Sequence, residues 1–401
     1  MKNILLLASI YPVYKEGYVG TKICHYFAKE WVKMGYNVKV LFFWSSFPKP
    51  YYWITKPFVS SLRAKTSFAF PTFNFTETEV YTLDGVEVIL LPVKKILPHA
   101  APSETYLYKL LKEGVDILNK KGFRPDMITA HFLNPQLRAL YLIKKIYPNV
   151  NTCLVLHGWQ EKRMKSVYGD KYVDYLNSID LIGFRSTIQQ KKFLDSNVAN
   201  KKTFICYSGV PKEYITKIDR NYTKKINKYV YLGSLYKLKN VDLTIKALYE
   251  LYPNKDFQFD IIGDGGEKAR LIKMCKELHI EEQVIFHGHL DRTAAQEILH
   301  NSECFIMVSS PEVLGLVYFE AMAQGLITIG SKGEGIDGLI VDGENGFLVK
   351  PKDLNDLKNK IGKVKSMNSD ELNIISQRAM NTAILNTDES AAKRYVEMLL
   401  H

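Results

Sequence analysis

The chain has 401 residues, 46% of them hydrophobic, and five scattered cysteines with no C-x-x-C pair and no Cys/His cluster at metal spacing. This length predicts about two domains, and the composition argues against a disordered or collagen-like chain. The cysteine pattern argues against a disulfide framework and favours the reducing cytoplasm. The sequence contains no run of about 20 apolar residues, so we expect no transmembrane helix.

The net charge of +12 is concentrated in the first half of the chain. Up to Lys202 there are 29 Lys and Arg against 15 Asp and Glu, whereas the remainder carries 25 against 27. A basic first half predicts a polyanionic partner, such as an anionic membrane surface, a phosphate-bearing acceptor or nucleic acid. Lysines solvated on the outer faces of helices would explain the same charge.

Apolar runs of strand length alternate with helical patterns along almost the whole chain, which is typical of parallel α/β architecture. The first run fits a strand better than a signal peptide, because Tyr11 and Pro12 end it without a small-residue cleavage site. In the first half the pattern predicts strands at 4–8, 38–44, 86–91, 127–131, 152–157, 181–184 and 204–207, with helices at 21–34, 104–120 and 135–146.

A second series of strands and helices follows a polar segment at 211–228. We therefore predict two doubly wound, Rossmann-like domains that face each other across a ligand cleft: an acceptor-side domain at 1–210, a linker at 211–228 and a donor-binding domain at 229–387. The last helix, within 388–401, follows its own break and could pack back on the first domain. The strands predicted for the second domain are 230–232, 259–262, 284–286, 304–308, 327–329 and 347–349.

Between residues 47 and 81 the alternation breaks, and aromatic and basic residues mix without a helical or strand period. Such a segment suits an interfacial membrane patch or a surface on which sugars stack. A local satellite core is an equally good explanation. The aromatic residues are Tyr51, Tyr52, Trp53, Phe58, Phe68, Phe70, Phe73 and Phe75, and the basic ones are Lys49, Lys56, Arg63 and Lys65.

The segment PEVLGLVYFEAMAQG, from Pro311 to Gly325, places one carboxylate before a predicted helix and a second inside it. These are Glu312 and Glu320, and the helix is expected to begin near Leu316 and to end before Gly325. The N–H groups of its first turn have no intrahelical partner and favour phosphate. Because carboxylates accept hydrogen bonds from sugar hydroxyls, the segment predicts a nucleotide-sugar site. Solvated glutamates on an amphipathic helix are the alternative.

Other strand ends carry residues that suit the same ligand. Lys237 and Lys239 follow a strand and could neutralise a leaving diphosphate. Gly263 and Gly265 come directly after another strand and allow close approach of the backbone, although the full G-x-G-x-x-G spacing of a dinucleotide site is missing. Gly333 and Gly335 indicate a tight turn beside the predicted cleft.

In the first half, Gly17 and Gly20 lie between the first strand and the first helix, where they would face the phosphate site of the second domain. Two histidines, His131 and His157, end apparent strands, and ligands bind at the carboxyl ends of parallel strands. His157 is the better candidate because Gly158 leaves room for a substrate. A lone histidine is more often structural.

The chain resembles a known family through four segments in order: IIGDGGE, VIFHGHL, FIMVSSPEVLGLVYFEAMAQG and GIDGLIVDGENGFLV. They look like the retaining nucleotide-sugar glycosyltransferases of family 4, glycosyl transferases group 1, which have the two-domain GT-B fold. The resemblance covers essentially all of the predicted second domain. The first domain matches only in outline, through its glycine loop, the His157–Gly158 pair and the strand pattern.

The resemblance implies metal-independent transfer of a sugar with retention of the anomeric configuration, without a cofactor. It implies that Glu312 contacts the donor sugar, Glu320 binds the ribose, and His157 contacts the sugar or the reacting region. It also implies that Lys239 and the backbone N–H groups of Leu314, Gly315, Leu316 and Val317 hold the diphosphate, and that Gly17 and Gly20 border phosphate and acceptor. The other predicted donor-binding residues are Ser234, Lys237, Gly263, Gly265 and His289.

Two positions depart from the family pattern. The family usually has an arginine directly after the glycine at Gly233, whereas this chain has Ser234. Lys237 would supply the charge but not the bidentate fork of an arginine. In the N-terminal loop, Val19 precedes Gly20 in place of the usual second glycine. Reduced activity or an unusual donor would follow from these changes.

The sequence therefore predicts a glycosyltransferase that uses a nucleotide diphosphate sugar, such as a UDP or GDP sugar, and a glycan or lipid-linked acceptor in surface polysaccharide biosynthesis. We expect it in the cytoplasm, with peripheral contact to an anionic membrane. A nucleotide-sugar epimerase of the same fold and a non-catalytic glycan- or nucleotide-binding partner remain alternatives. A nucleic-acid binder would explain the charge but not the two glutamates, and the sequence has no recognised nucleic-acid-binding motif.

Overall fold

The computed structural model describes residues 2–15, 21–55, 73–96, 100–215, 220–223 and 225–400. The chain divides into two compact units, and three separate stretches build the first. Within the described residues no helix has the length and apolarity needed to span a membrane. The first unit comprises Met1–Arg185, Gln189–Tyr207 and Asp388–His401, and the second comprises Ser186–Ile188 and Ser208–Thr387.

The first unit contains an eight-stranded sheet among its described residues. Its strands are β1 (Asn3–Ala8), β2 (Asn37–Ser46), β3 (Glu79–Leu83), β4 (Val86–Lys94), β5 (Met127–His131), β6 (Asn151–Leu156), β7 (Leu181–Phe184) and β8 (Lys202–Ile205). They lie in the order β3-β4-β2-β1-β5-β6-β7-β8, and all neighbours are parallel except β3 and β4. The predicted parallel α/β architecture of this half is confirmed.

Helices cover both faces of this sheet because its central strands are apolar at consecutive positions. In β1, Leu5 and Leu7 belong to one core cluster, and Ile4, Leu6 and Ala8 belong to the other. This is the two-sided burial that parallel sheets require. The helices of this part of the chain are α1 (Ile23–Lys33), α2 (Lys49–Thr55), α3 (Glu104–Lys120), α4 (Gln136–Ile143), α5 (Glu161–Tyr168), α6 (Tyr172–Asn177) and α7 (Thr187–Ser196).

The second unit contains a six-stranded parallel sheet among its described residues. Its strands are β9 (Lys228–Leu232), β10 (Gln258–Ile262), β11 (Val284–Gly288), β12 (Cys304–Ile306), β13 (Ile327–Ser331) and β14 (Phe347–Val349), in the order β11-β10-β9-β12-β13-β14. The chain order reverses between β9 and β12, and such a switch point is where open α/β sheets bind ligands. Its helices are α8 (Val241–Leu251), α9 (Lys268–Glu277), α10 (Arg292–Asn301), α11 (Leu316–Ala323), α12 (Leu354–Ser366) and α13 (Ser369–Ile384).

The last helix, α14 (Asp388–Leu400), belongs to the first unit although it follows the second in the chain. Nε1 of Trp31 in α1 donates a hydrogen bond of 2.9 Å to the backbone oxygen of Ala392. Tyr395 is buried, and its hydroxyl is hydrogen-bonded to that of Thr129. Buried aromatic and polar contacts therefore hold α14 in this unit.

The segment 211–228, for which the sequence suggests a linker, lies in the second unit. The hydroxyl of Tyr222 donates to the backbone oxygens of Glu303 and Gly325, at 2.7 and 3.0 Å. The guanidinium of Arg220 donates to the backbone oxygens of Gln324 and His300, both at 2.7 Å. Because these contacts reach the ends of α10 and α11, the described part of this segment is integrated into the unit.

The described parts of the aromatic stretch at 47–81 have more regular structure than the sequence predicts. It contributes α2 and the antiparallel edge strand β3. Phe75 is buried, and the rings of Trp44 and Phe73 stack with centroids 5.3 Å apart, so these aromatic side chains pack into the core. Trp53 is instead 76% exposed. The predictions for Lys56, Phe58, Arg63, Lys65, Phe68 and Phe70 fall outside the described residues.

Candidate functional site

The loops that follow β9 and β12 meet at the switch point of the second sheet. After β9, a short 3₁₀ turn at Lys237–Lys239 leads to Asn240, which has a left-handed backbone (φ +51°). Its side-chain nitrogen donates to the backbone oxygen of Val308 at 2.8 Å. In the other direction the N–H of Ser310 donates to the oxygen of Leu238 at 2.8 Å. These bonds tie the two loops together.

This connection brings Lys239 onto Glu312. Nζ of Lys239 lies 2.6 Å from Oε2 of Glu312, and the two side chains are only 18% and 14% exposed. The hydroxyl of Ser309 donates to the same carboxylate oxygen at 3.0 Å. The structure therefore assembles two of the predicted catalytic residues into one partly buried ion pair, and charged pairs shielded from water interact more strongly than exposed ones.

A third carboxylate, Glu334, holds the loop that carries Glu312. Its two oxygens accept hydrogen bonds from the N–H of Glu312 and from the hydroxyl of Ser310, both at 2.7 Å. The N–H of the next residue, Gly335, donates to the backbone oxygen of Glu312 at 3.0 Å. A Cβ on Gly335 would lie 1.9 Å from the oxygen of Val313, so only glycine allows this approach.

Helix α11 begins directly after this loop. Gly315 precedes it with φ +76°, and no side chain caps the first turn in the described part of the chain. A Cβ on Gly315 would lie 2.6 Å from the ring of Tyr318, whose hydroxyl donates to the backbone oxygen of Met307. The amides predicted to bind diphosphate, from Leu314 to Val317, therefore surround the start of α11. Its first-turn N–H groups carry partial positive charge.

Glu320 lies inside α11 and is partly buried. Burial raises the pKa of its carboxyl above the usual range, and the nearby cation of Arg292 opposes that shift. A carboxylate in such a position gains from a hydrogen-bond donor, because desolvation penalises its charged form. A sugar hydroxyl would be a donor of that kind.

The predicted glycine turn after β10 packs against the loop after β9. A Cβ on Gly263 would lie 1.9 Å from the oxygen of Gly233, and one on Gly265 would lie 2.4 Å from the oxygen of Leu235. Both positions therefore require glycine because the two loops pack closely together within the second unit.

The remaining predicted donor residues of the second unit occupy neighbouring loops. Ser234 and Lys237 are exposed on the β9–α8 connection, and the backbone oxygen of Ser234 accepts from the hydroxyl of Tyr231 at 2.9 Å. His289 follows β11 and is exposed. Its charge is one of the smaller influences that lower the pKa of Asp264, after hydrogen bonds from Lys268 and the Gly265 amide.

His157 lies in the first unit, directly after β6, beside His131. Nε2 of His157 is 3.1 Å from Nδ1 of His131. Burial, reinforced by the positive charge of Arg185, lowers the pKa of His131 to about 3 and holds that of His157 well below its usual range. Both rings are therefore neutral at physiological pH. Gly17 and Gly20 lie outside the described residues.

Sequence reasoning missed three residues that contact the predicted site residues or influence them electrostatically. Glu334 and Ser309 bind the Glu312 loop, and Arg185 lowers the pKa of both histidines. Arg185 directly follows β7, so the strand-end rule that selected His157 could have selected it too. Glu334 lies between the two glycines, Gly333 and Gly335, that predicted a turn. No three His, Cys, Asp or Glu residues in the described ranges form a group that could hold a metal ion.

Comparison with known proteins places this chain in a family. Residues 215–382 match the family described as Glycosyl transferases group 1. An uncharacterized glycosyltransferase of Methanocaldococcus jannaschii is 31% identical over 306 residues, which cover 71% of this chain and 77% of the relative. The chain belongs to the group 1 glycosyltransferases. The predicted enzyme class, glycosyltransferase, is thereby confirmed.

This glycosyltransferase is also similar to two proteins whose names state an activity or a bound ligand. N-acetyl-alpha-D-glucosaminyl L-malate synthase of Bacillus anthracis is 26% identical over 241 residues, or 57% of this chain and 62% of the relative. The crystal structure of Anabaena HepE in complex with UDP superposes with a TM-score of 0.69, at 19% identity and over all of both chains. The predicted GT-B fold is confirmed by this likeness.

Proposed function

We propose that this glycosyltransferase is a retaining, metal-independent enzyme of family 4 that moves a sugar from a nucleotide diphosphate sugar to a glycan or lipid-linked acceptor. The observation that carries the proposal is the ion pair between Lys239 and Glu312, 2.6 Å long, at the start of α11. A cation, a carboxylate and the first-turn N–H groups of a helix lie together there. The cation and the N–H groups complement the charge of a diphosphate, and the carboxylate complements the hydroxyl groups of a sugar.

In the proposed reaction, each of these groups has a role in the cleavage of the donor. As the bond between the sugar and the diphosphate breaks, negative charge grows on the leaving diphosphate. Lys239 and the first-turn amides of α11 would stabilise that charge. Glu312 would accept hydrogen bonds from the donor sugar, and Glu320 would accept them from the ribose hydroxyls. His157 would serve the reacting region as a neutral side chain.

The described relatives support a nucleotide sugar as donor and a carbohydrate-like product. HepE was crystallised with UDP, and the Bacillus anthracis synthase is named for an N-acetylglucosaminyl product. The basic first half of the sequence supports an anionic acceptor or membrane surface, as in surface polysaccharide biosynthesis.

A thermal-shift screen with UDP, GDP, ADP and CDP tests the donor site. One nucleotide at 100 times its dissociation constant should add about 2.7 kcal/mol of stability. Glu320→Gln should reduce that shift, whereas Glu344→Ala, an exposed carboxylate of the same unit, should leave it unchanged. If none of the four nucleotides shifts the melting temperature, the donor site is wrong.

The nucleotide that binds then defines the donors for a transfer assay. NMR of the product should show the anomeric configuration of the donor, and chelation by EDTA should leave the rate unchanged. An inverted product would contradict retention, and activity lost with EDTA and restored by a divalent cation would contradict metal independence. Isomerised sugar formed without acceptor would instead identify an epimerase.

Sedimentation with anionic lipid vesicles tests the peripheral membrane contact. The protein should pellet with anionic vesicles at low salt and stay in the supernatant with neutral ones, because each Lys or Arg near such a surface contributes about 1 kcal/mol. Equal recovery in the supernatant with both kinds of vesicle would remove the membrane from the proposal and leave the enzyme activity untouched.

A further inference from the structure

The two neighbouring histidines of the first unit form a pair whose geometry the proposed function leaves unexplained. His131 ends β5 and is completely buried, whereas His157 follows β6 and is partly exposed. Strands β5 and β6 are parallel neighbours, with His131 opposite Val155. The sheet therefore fixes the backbone that carries each ring, and Nδ1 of His131 meets Nε2 of His157 at 3.1 Å.

The ring of His157 is also held on its face. Phe132 has a left-handed backbone (φ +73°), which is unusual for a bulky residue. Its N–H donates to the oxygen of Val155 at 3.0 Å, and its ring stacks on His157 with centroids 3.9 Å apart. A hydrogen bond at the edge and a ring on the face together restrict the His157 imidazole to one orientation.

The protons of the pair have two arrangements. Because both rings are neutral, each carries a single proton, and one ring must donate the hydrogen bond that the other accepts. Either His131 donates from Nδ1 to Nε2 of His157, or His157 donates from Nε2 to Nδ1 of His131. The second arrangement places the proton of His131 on its other nitrogen, Nε2.

The surroundings of His131 favour the first arrangement. Its Nε2 is buried and has no hydrogen-bond partner among the described residues. The rings of Phe27 and Tyr395 pack beside it, with centroids 5.5 and 5.6 Å away. A buried N–H at this atom would lose its bonds to water without replacement. The positive charge of Arg185 lowers the pKa of both histidines and so helps to keep both rings neutral.

We propose that His131 is a positioning residue, whose Nδ1–H donates to Nε2 of His157 and thereby fixes the proton of His157 on Nδ1. His157 is then a neutral hydrogen-bond donor. Its one lone pair is already occupied by His131, so it does not act as a general base. The effect on turnover rests on the proposed function, but the tautomer itself does not.

The tautomer is measured directly by two-bond ¹H–¹⁵N correlation spectra of protein labelled with ¹⁵N-histidine. His157→Gln assigns the His157 signals by difference. In the wild type, the His157 signals should have the pattern of a neutral ring protonated on Nδ1. A ring protonated on Nε2, or a charged ring at neutral pH, would overturn the proposal. The tautomer is measured on the unmodified protein without substrate, and the variant serves only to assign the signals.

Two substitutions of His131 test the positioning role in turnover. His131→Asn keeps a donor near the position of Nδ1 and should retain the wild-type kcat within about twofold. His131→Phe keeps a ring but no donor, and should lower kcat about five- to tenfold with an almost unchanged KM for the donor, as expected for one lost hydrogen bond. Equal losses in both variants, or a loss confined to KM, would contradict the positioning role.

Nucleotide binding separates failure of this inference from failure of the proposed function. The groups proposed to bind nucleotide lie in the second unit, so both variants should retain the thermal shift with the nucleotide that stabilises the wild type. A wild-type protein that binds no nucleotide but has the Nδ1–H tautomer would overturn the proposed function alone. A protein that transfers sugar but has the Nε2–H tautomer would overturn this inference alone.

Discussion

Nζ of Lys239 and Oε2 of Glu312 lie 2.6 Å apart, although 73 positions separate the two residues in the sequence. The neighbouring strands β9 and β12 create this contact, because the loop after each strand ends at the same edge of the sheet. Asn240 and Ser310 then bind the opposite loops through their polar groups. The ion pair therefore follows from the order of the strands in the sheet. Substitution of Lys239 or Glu312 should remove the pair while the hydrogen bonds of Asn240 and Ser310 still join the two loops.

Substitution of the ion pair should cost turnover non-additively. We expect Lys239→Ala or Glu312→Ala to lower kcat about 10²-fold, and the double variant to lose far less than the product of the two, because the residues act as a unit. Steady-state kinetics of the four proteins give the coupling. Lys358→Ala, which removes an exposed pair with Glu250 in the same unit, is the control and should stay within about twofold of wild type.

Two glycines in one turn should respond differently to alanine. At Gly335 a Cβ would lie 1.9 Å from the oxygen of Val313, so Gly335→Ala should displace the Glu312 loop and abolish most activity. At Gly333 nothing lies within 4 Å, and Gly333→Ala should cost only about 1 kcal/mol, through its φ of +73°. Urea unfolding and transfer rates of both variants check this. Similar activity of the two would contradict the steric argument.

Removal of the Glu334 carboxylate should loosen the loop that holds Glu312. Glu334→Ala deletes the acceptor for the Glu312 amide and the Ser310 hydroxyl, and should lower stability by about 1–3 kcal/mol and kcat/KM at least about tenfold. Glu334→Gln keeps one acceptor oxygen and should recover most of both. Glu344→Ala, at an exposed position in the same connection, should behave as wild type. An equal defect in the Gln and Ala variants would indicate that charge, and not loop position, matters.

The raised pKa of Glu320 predicts a pH dependence of stability. Between the unfolded pKa near 4.5 and the higher folded pKa, the folded state binds more protons than the unfolded state, so ionisation of Glu320 lowers stability as pH rises through this window. Glu320→Gln removes that loss. The difference in unfolding free energy between Glu320→Gln and wild type should therefore increase across the window and be flat on either side, as measured by urea unfolding at several pH values. A difference that decreases with pH would contradict burial as the cause.

The sequence predicted most strands because buried parallel strands are continuous apolar runs. The bounds of β5, β7 and β14 match the prediction at both ends. It missed β3, an antiparallel edge strand whose residues are exposed or only partly buried and which pairs with β4 alone. Without an apolar run, the strand has no strong sequence signal. Its pairing depends on the hairpin turn at Asp84 and Gly85, both of which have positive φ.

The sequence predicted less of the site than of the fold. Spacing within one segment placed Glu312 before α11 and Glu320 inside it, and the structure has both positions. Sequence spacing could not predict the hydrogen bond between Glu334 and the Glu312 amide, because that bond joins the loops after β12 and β13. The pairing of His131 with His157 likewise depends on the neighbouring positions of β5 and β6.

The return of α14 to the first unit has a consequence for synthesis of the protein. As the chain leaves the ribosome from its N-terminus, Trp31 and Thr129 emerge long before their partners Ala392 and Tyr395. Most of the second unit, Ser208–Thr387, is complete by then. The first unit therefore cannot complete its contacts with α14 until residues 388–400 have been synthesised, after most of the second unit.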